Sequence, residues 1–234
     1  MTSDKTIASF DIRSFFKRWP KFYYFIATVF GPMMYSGLSV RKFLLRYPTE
    51  GVILNIGSGP WIIGDRVTNV DIHPYDGVSI VIKGNTIPLE DGTVDQILSD
   101  TVLEHVLDPL GAVNEMQRLL KSGGLVYATL PFLYPFHSSP SDYQRWTKEG
   151  ALKLFKDFEL VEIGVRAGPF SALTVYLNHL FAMIFSFGSK SLESLLLKLV
   201  MFATFPIKLL DIIFNHWPNA EEVASVLYLV ARKK

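Results

Sequence analysis

From Gly51 onward, short apolar runs closed by Gly, Asp or Pro alternate with stretches of helical periodicity, the pattern of a parallel sheet flanked by helices. Residues 52–56, 69–72, 78–82 and 94–98 read as the first four strands, each short enough to be buried. Asp108 can then N-cap a helix with Pro109 at its first position, and Leu110, Val113, Met116 and Leu120 follow at helical spacing until Ser122-Gly123-Gly124 ends it. Residues 125–130, 158–165 and 224–231 supply three more strands, and Thr147 caps a helix running to Phe155.

Two regions depart from this alternation. Residues 1–50 look helical, with apolar and aromatic residues in 14–30 and 40–45, and read as an extension ahead of one catalytic domain spanning 51–234. Residues 168–220 form a long apolar insertion before the last strand. Between Arg166 and Lys190 no residue is charged, and Phe170, Leu173, Leu177, Leu180, Phe181 and Ile184 recur at helical spacing, approaching membrane-crossing length. Lys198, Pro206, Lys208 and Asp211 interrupt the segment that follows, which favours an interfacial or packed helix. A helical hairpin leaving and returning on one side would let residues 224–231 still join the sheet. Peripheral membrane contact is preferred here over a soluble lid packed on residues 14–45.

Composition sharpens this picture. About half of the 234 residues are hydrophobic, high for a soluble enzyme, yet the charge-free stretch from residue 22 to 40 is broken by Gly31-Pro32. Asp4, Lys5, Asp11, Arg13, Lys17 and Arg18 precede that stretch, unlike a secretory signal, so the reading is cytoplasmic, at the inner face of a membrane if the insertion touches one. A formal charge of +1 gives no dominant basic field and argues against nucleic acid as a partner. The absence of cysteine excludes disulfides, thiolate zinc sites and cysteine nucleophiles, and the sequence requires no metal.

The chemistry gathers at the ends of the strands. Gly57-Ser58-Gly59-Pro60 follows the first strand, where missing side chains let backbone N–H groups approach a ligand. A dinucleotide fingerprint would place a third glycine where Ile62 stands, which disfavours an NAD-dependent oxidoreductase. Asp71, closing the second strand, could accept both hydroxyls of a ribose or cap the turn before His73-Pro74.

Taken with residues 88–95, Val102-Leu103-Glu104-His105-Val106 and Arg118-Leu119-Leu120-Lys121-Ser122-Gly123-Gly124, these motifs resemble class I S-adenosylmethionine-dependent methyltransferases of the type-11 group. The resemblance covers residues 51–165 and continues through 131–146 and the last strand into a subgroup often associated with glycan biosynthesis. It implies a Rossmann-like α/β sheet of seven strands, mostly parallel with an antiparallel last strand, plus N-terminal helices and the apolar helical insertion. It implies S-adenosyl-L-methionine as cofactor, with Gly57, Ser58 and Gly59 near its methionine part, Asp71 on the ribose, Ile72 against adenine, and Ser99 and Thr101 beside the sulfonium. Two positions depart from the pattern. Asn55 stands where relatives often carry an acid, and Lys83, before Gly84 and Asn85, stands where they commonly carry an aspartate that receives the adenine amino group. Asn55 keeps an acceptor without the charge, whereas Lys83 cannot accept that bond.

Methyl transfer from a sulfonium is an in-line displacement, so the protein chiefly aligns the acceptor and, for an oxygen, removes its proton. His137 and His105 are the candidate catalytic groups, although His105, like Glu104, could instead shape the cofactor pocket. His137, Asp142, Tyr143, Arg145 and Trp146 form the candidate substrate-recognition segment, with an Asp142 to Arg145 ion pair bracing the loop as the structural alternative. The expected acceptor is a small, glycan or lipid-linked molecule methylated on oxygen in preference to nitrogen. A non-enzymatic reading also stands: the departures at Asn55 and Lys83 would suit a degenerate fold kept as a membrane-associated scaffold or partner subunit.

Overall fold

The computed structural model describes residue 31, residues 33–137 and residues 141–234. The helix expected over 14–30, and Pro32, Ser138, Ser139 and Pro140, lie outside the described residues.

Seven strands form one sheet in the order β3-β2-β1-β4-β5-β7-β6. They are β1 (Ile53–Ile56), β2 (Val67–Asp71), β3 (Ile80–Val81), β4 (Val94–Asp100), β5 (Leu120–Pro131), β6 (Phe158–Ala167) and β7 (Val226–Lys233). The first five run parallel, and β7 enters antiparallel between β5 and β6. The chain order reverses at β1 and β4, so the carboxyl ends of these neighbours open the crevice in which α/β proteins bind ligands.

The strands expected from hydrophobic pattern all form, with shifted ends. The third shrinks to two residues at the sheet edge. The fifth grows backwards to Leu120 and absorbs Ser122-Gly123-Gly124, with a register shift against β4 between Val94 and Gln96. Those three residues therefore belong to a strand, and the preceding helix, α2 (Pro109–Leu119), stops before them. Its start is as expected: the Asp108 side chain accepts from the Gly111 amide at 2.9 Å, and Pro109 occupies the first turn, where a missing N–H costs nothing.

Two layers of apolar side chains hold the sheet. On one face Leu54, Ile97 and Val126 pack under Val113, Met116 and Leu119 of α2. Each such buried aliphatic side chain contributes roughly 1.5–3 kcal/mol. On the other face Phe43 from helix α1 (Val40–Arg46) meets Tyr127, whose hydroxyl donates to the Leu38 carbonyl at 2.7 Å. The described part of the N-terminal extension thus covers the sheet. Helix α3 (Lys148–Leu154) is capped by Thr147, as its sequence predicts.

The insertion is a helical hairpin of α4 (Pro169–Phe185) and α5 (Lys190–Lys208), followed by the short α6 (Asp211–Phe214). Asp211, which in sequence looks like an interruption, is a buried cap: its carboxylate accepts the amides of Phe170 at 2.9 Å and Ser171 at 2.8 Å, at the start of α4. Helix α4 buries Ala172, Val175, Asn178 and Ala182 and turns Leu173, Leu177, Leu180, Phe181 and Ile184 outward. At 1.5 Å per residue its length of about 25 Å falls short of a hydrocarbon core of about 30 Å. Among the described residues, no helix is long and apolar enough to cross a membrane.

Candidate active site

A cleft of about 800 Å³ opens at the carboxyl ends of β1, β2 and β4. Its floor is the turn after β1. Gly57 has φ +67° and Gly59 φ +55°, both in the left-handed region that favours glycine. A Cβ on Gly57 would stand 2.6 Å from Val102 Cγ2, so the close approach of these two segments also requires a residue without a side chain. The Gly57 and Ser58 amides donate to the Val70 carbonyl at 2.8 and 3.2 Å, tying the turn to β2.

Asp71 caps the turn before His73-Pro74, one of the two roles its sequence position allowed, and it also stands at the cleft. Its carboxylate lines the cleft, while one oxygen accepts from the Gly59 amide at 2.7 Å and the other from the His73 amide at 2.8 Å. A carboxylate has about four acceptor sites, so two backbone donors orient it and leave capacity for a ligand's hydroxyls. Beyond it Ile72, 48% exposed, offers an apolar wall. Gly84 (φ +75°) and Asn85 continue that wall, and Asn85 donates through Nδ2 to the Asp108 carbonyl at 3.0 Å, leaving its oxygen unspent in that bond.

Asn55, Lys83 and Ser99 do not line the cleft. Asn55 lies across from Asn69 in the β1–β2 register and donates to its side-chain oxygen at 3.0 Å, while Asn69 holds the Trp61 and Gly77 carbonyls. Having no charge, Asn55 can join this buried amide chain without a cationic partner. Lys83 points to solvent, and Ser99 is buried in β4. The residue that reaches the cleft from this strand is Asp100, which sequence reasoning passed over. Its position at the carboxyl end of β4 was the available signal, because neighbouring strand residues face opposite ways. Thr101 beside it lines the cleft at φ +55°.

The other end of the cleft is built by the 3₁₀ turn Leu103–His105 and the loop after β5. Glu104 is fully buried, and neither carboxylate oxygen has a hydrogen-bond partner. His105 Nε2 and His137 Nε2 stand 3.8 and 3.7 Å from Glu104 Oε1, beyond hydrogen-bond reach. The two rings lie nearly edge to face, with centroids 5.0 Å apart, and both line the cleft. The Glu104 carboxylate raises the pKa of His137 above its ordinary value, against the opposing effect of burial.

Asp142 and Arg145 are spent on bracing. Arg145 pairs with both oxygens of Asp142, and it donates to the carbonyls of Tyr134 at 2.9 Å, Pro135 at 2.8 Å and Gln144 at 2.7 Å. The guanidinium beside it holds the Asp142 carboxyl down to about 2. Asp142 in turn accepts the His137 amide at 2.8 Å, so the pair fixes the backbone that carries the imidazole. Trp146 is packed into the core, and Tyr143 is half exposed with its amide donating to the Glu104 carbonyl at 2.8 Å. None of these four lines the cleft: the ion pair engages Asp142 and Arg145, the core holds Trp146, and Tyr143 stands at the surface; His137 alone of the segment does.

A glycine turn at β1, a carboxylate at the end of β2 and a sheet closed by an antiparallel β7 define the class I methyltransferase fold. Residues 62–128 match the family model for a methyltransferase domain, Methyltransf_11. Residues 62–128 are thus similar to a methyltransferase domain of the type-11 group, and they lie within a class I methyltransferase fold. An uncharacterized methyltransferase of Mycobacterium sp. strain KMS is 32% identical over 107 residues, which cover 38% of this chain and 42% of the relative. An uncharacterized methyltransferase of Mycolicibacterium gilvum is 30% identical over 105 residues, 36% of this chain and 41% of the relative. The chain thus spans less than half the length of these curated relatives. Among solved structures, a SAM-dependent methyltransferase from Thermotoga maritima superposes with a TM-score of 0.51 at 17% identity, covering 94% of this chain and 99% of its own. Phosphoethanolamine N-methyltransferase 2 of Haemonchus contortus, in complex with S-adenosyl-L-methionine, gives 0.50 at 18% identity, covering 98% and 61%. At such identities these two likenesses speak for the fold.

Proposed function

We propose that the chain transfers a methyl group from S-adenosylmethionine to an oxygen, in preference to a nitrogen, of a small, glycan or lipid-linked acceptor. The observation that carries this reading is one cleft with two chemically distinct ends: the glycine turn and anchored Asp71 at one, and Glu104, His105 and His137 at the other. Asp71, Gly57, Ser58, Gly59, Ile72, Gly84 and Thr101 are the proposed cofactor contacts, with Asn85 and Asp100 added from their places on the cleft wall. Lys83, Asn55 and Ser99 lie off the cleft and are left out of these contacts.

When bound, the cofactor supplies a methyl carbon on a sulfonium that leaves as a neutral thioether. The residues' part is to align the acceptor and to manage its proton, since the acceptor oxygen gains a carbon as its O–H is lost. His137, with His105 beside it, is the group through which the acceptor is engaged, and Asp142 and Arg145 hold it in place. Residues 51–234 would be the catalytic domain, with 1–50 as an extension and 168–220 as an insertion that contacts a membrane from its cytoplasmic side.

Isothermal titration calorimetry with S-adenosylmethionine, its demethylated product and NAD tests the cofactor assignment; saturable binding of the first two and none of the third is expected. His137→Ala is expected to keep cofactor affinity within a few-fold while removing turnover. Unchanged turnover on an identified acceptor would take His137 out of the reaction.

A further inference from the structure

The acceptor end of the cleft holds a buried carboxylate to which the methyltransferase reading gives no step. Glu104 is a fully buried carboxylate whose oxygens make no hydrogen bond, a costly arrangement for a group that ordinarily enters a protein interior only with donors or a cation. What faces it are two imidazole nitrogens at 3.7 and 3.8 Å. These separations are too long for hydrogen bonds. They are close to the spacing of neighbouring ligands around one shared cation, about 3.0–3.4 Å for bonds of about 2.1 Å.

The far sides of both rings are held by the loop after β5. His105 Nδ1 contacts the Ser141 carbonyl, an acceptor only, so Nδ1 carries a proton and the neutral ring presents its lone pair at Nε2. His137 Nδ1 has the Pro135 carbonyl at 3.3 Å, Asp142 Oδ2 at 3.4 Å and the Arg145 guanidinium at 3.4 Å, so acceptors and a donor together hold the ring in place. Outer contacts that fix ring orientation and turn Nε2 inward are the support that metal-binding histidines have. One ligand atom from each of Glu104, His105 and His137 lies within 4.8 Å of the other two.

We infer that Glu104, His105 and His137 form a site for one divalent first-row transition cation, Zn²⁺ or an ion of similar ligand preference, at the acceptor end of the cleft. Imidazole and carboxylate ligands without thiolate suit such ions. A contraction of a few tenths of an ångström brings each imidazole to bonding distance alongside Glu104, with a somewhat larger one between the rings. The cation would neutralise the buried carboxylate, which makes no hydrogen bond. Because both imidazoles line the cleft, its remaining positions open towards bound acceptor, where it would take oxygen ligands such as the hydroxyls of a glycan. That last role rests on the methyl-transfer reading; the cation site itself does not. His137 then acts as a ligand.

The test uses the full-length, tag-free protein after chelator treatment and dialysis, titrated with Zn²⁺ by calorimetry and with Co²⁺ by visible absorption. About one equivalent bound, with Co²⁺ d–d bands of a nitrogen and oxygen ligand set and a raised thermal midpoint, is expected. Glu104→Gln and His137→Ala should each weaken binding at least tenfold. Because Glu104 is buried and its variant can fail to fold, the partly exposed His137 keeps the test decisive. No saturable uptake by the wild type, or uptake unchanged in His137→Ala, overturns the site. Cofactor titrations on the same samples separate the two readings: metal uptake without S-adenosylmethionine binding sinks the methyltransferase assignment and keeps the site, and cofactor binding without metal uptake does the reverse.

Discussion

The Thr129 hydroxyl accepts the Thr101 amide at 2.8 Å and donates to Asp100 Oδ1 at 2.6 Å, so one buried hydroxyl on β5 fixes the turn that ends β4. Thr101 needs that help. Its φ of +55° is unfavourable for a β-branched residue, and such conformations persist where surrounding bonds over-determine them.

Thr129→Val keeps the shape and removes both bonds. It leaves the Asp100 carboxylate and the Thr101 amide without that partner at the cleft wall, and a loss of about 1–3 kcal/mol is expected. Denaturant unfolding measures it. Cofactor affinity should fall in parallel, and a variant as stable as the wild type would show that the hydroxyl does not hold the turn.

Glycines 57 and 84 share a positive φ and differ in surroundings. A Cβ at Gly57 collides with Val102, whereas at Gly84 nothing stands within 4 Å. Gly84→Ala should therefore cost about 1–2 kcal/mol for its conformation alone. Gly57→Ala adds a steric displacement of the cleft floor, and should lose measurable S-adenosylmethionine binding in calorimetry while Gly84→Ala retains it.

Asp71→Asn tests charge against shape. The amide can keep one backbone bond through its oxygen, but its NH₂ faces the other backbone N–H, at Gly59 or at His73. Cofactor affinity should drop tenfold or more, with a smaller loss of stability, about 1 kcal/mol. Affinity within twofold of the wild type would remove Asp71 as a ribose contact.

Much of this was legible in the chain. Glycines 57 and 59 and Asp71 sit at strand ends that periodicity alone locates, and the Asp108-Pro109 start of α2 follows from local chemistry. What was hidden depends on register and on long-range closure. Asp100 meets Thr129 only because β4 and β5 pair in that register. Asp211 caps a helix some forty positions earlier. Arg145 and Asp142 carry recognition chemistry in sequence, and only the loop's path reveals that their groups are already engaged by each other and by backbone carbonyls.

The Asp142–Arg145 pair gives a pH dependence with a definite sign. Asp142, its side chain 1% exposed, is held down to about 2 by Arg145, below the ordinary carboxylate value near 4. The folded state thus binds its proton less readily than the unfolded state. The contribution is fully present above pH 4 and is lost as pH falls from about 4 to about 2, on the order of 2 kcal/mol. Arg145→Gln should remove it, so its stability difference from the wild type shrinks across that window. A difference independent of pH would show that the pair does not stabilise the loop through charge.

The hairpin argues for a surface that is not meant for water. Helix α4 reverses the usual arrangement, burying Ala172, Asn178 and Ala182 while exposing Leu177, Leu180, Phe181 and Ile184, and α5 adds exposed Leu195, Leu199 and Phe202. Apolar patches of this kind are uncommon on freely soluble monomers and mark contact with lipid or protein. Since α4 is too short to span, contact with lipid would be lateral, its apolar face lying at the headgroup boundary. The full-length protein should therefore co-sediment with phosphatidylcholine and phosphatidylglycerol vesicles, and Leu180→Ser with Phe181→Ser should reduce the bound fraction several-fold. At about 25 cal/mol per Å², two side chains each withdrawing on the order of 50–100 Å² are worth about 2–5 kcal/mol, enough to move a partition coefficient by well over tenfold. Because neither residue caps a helix or lines the cleft, cofactor affinity should be unchanged in the same variant. Equal sedimentation of variant and wild type would exclude this face as the lipid contact.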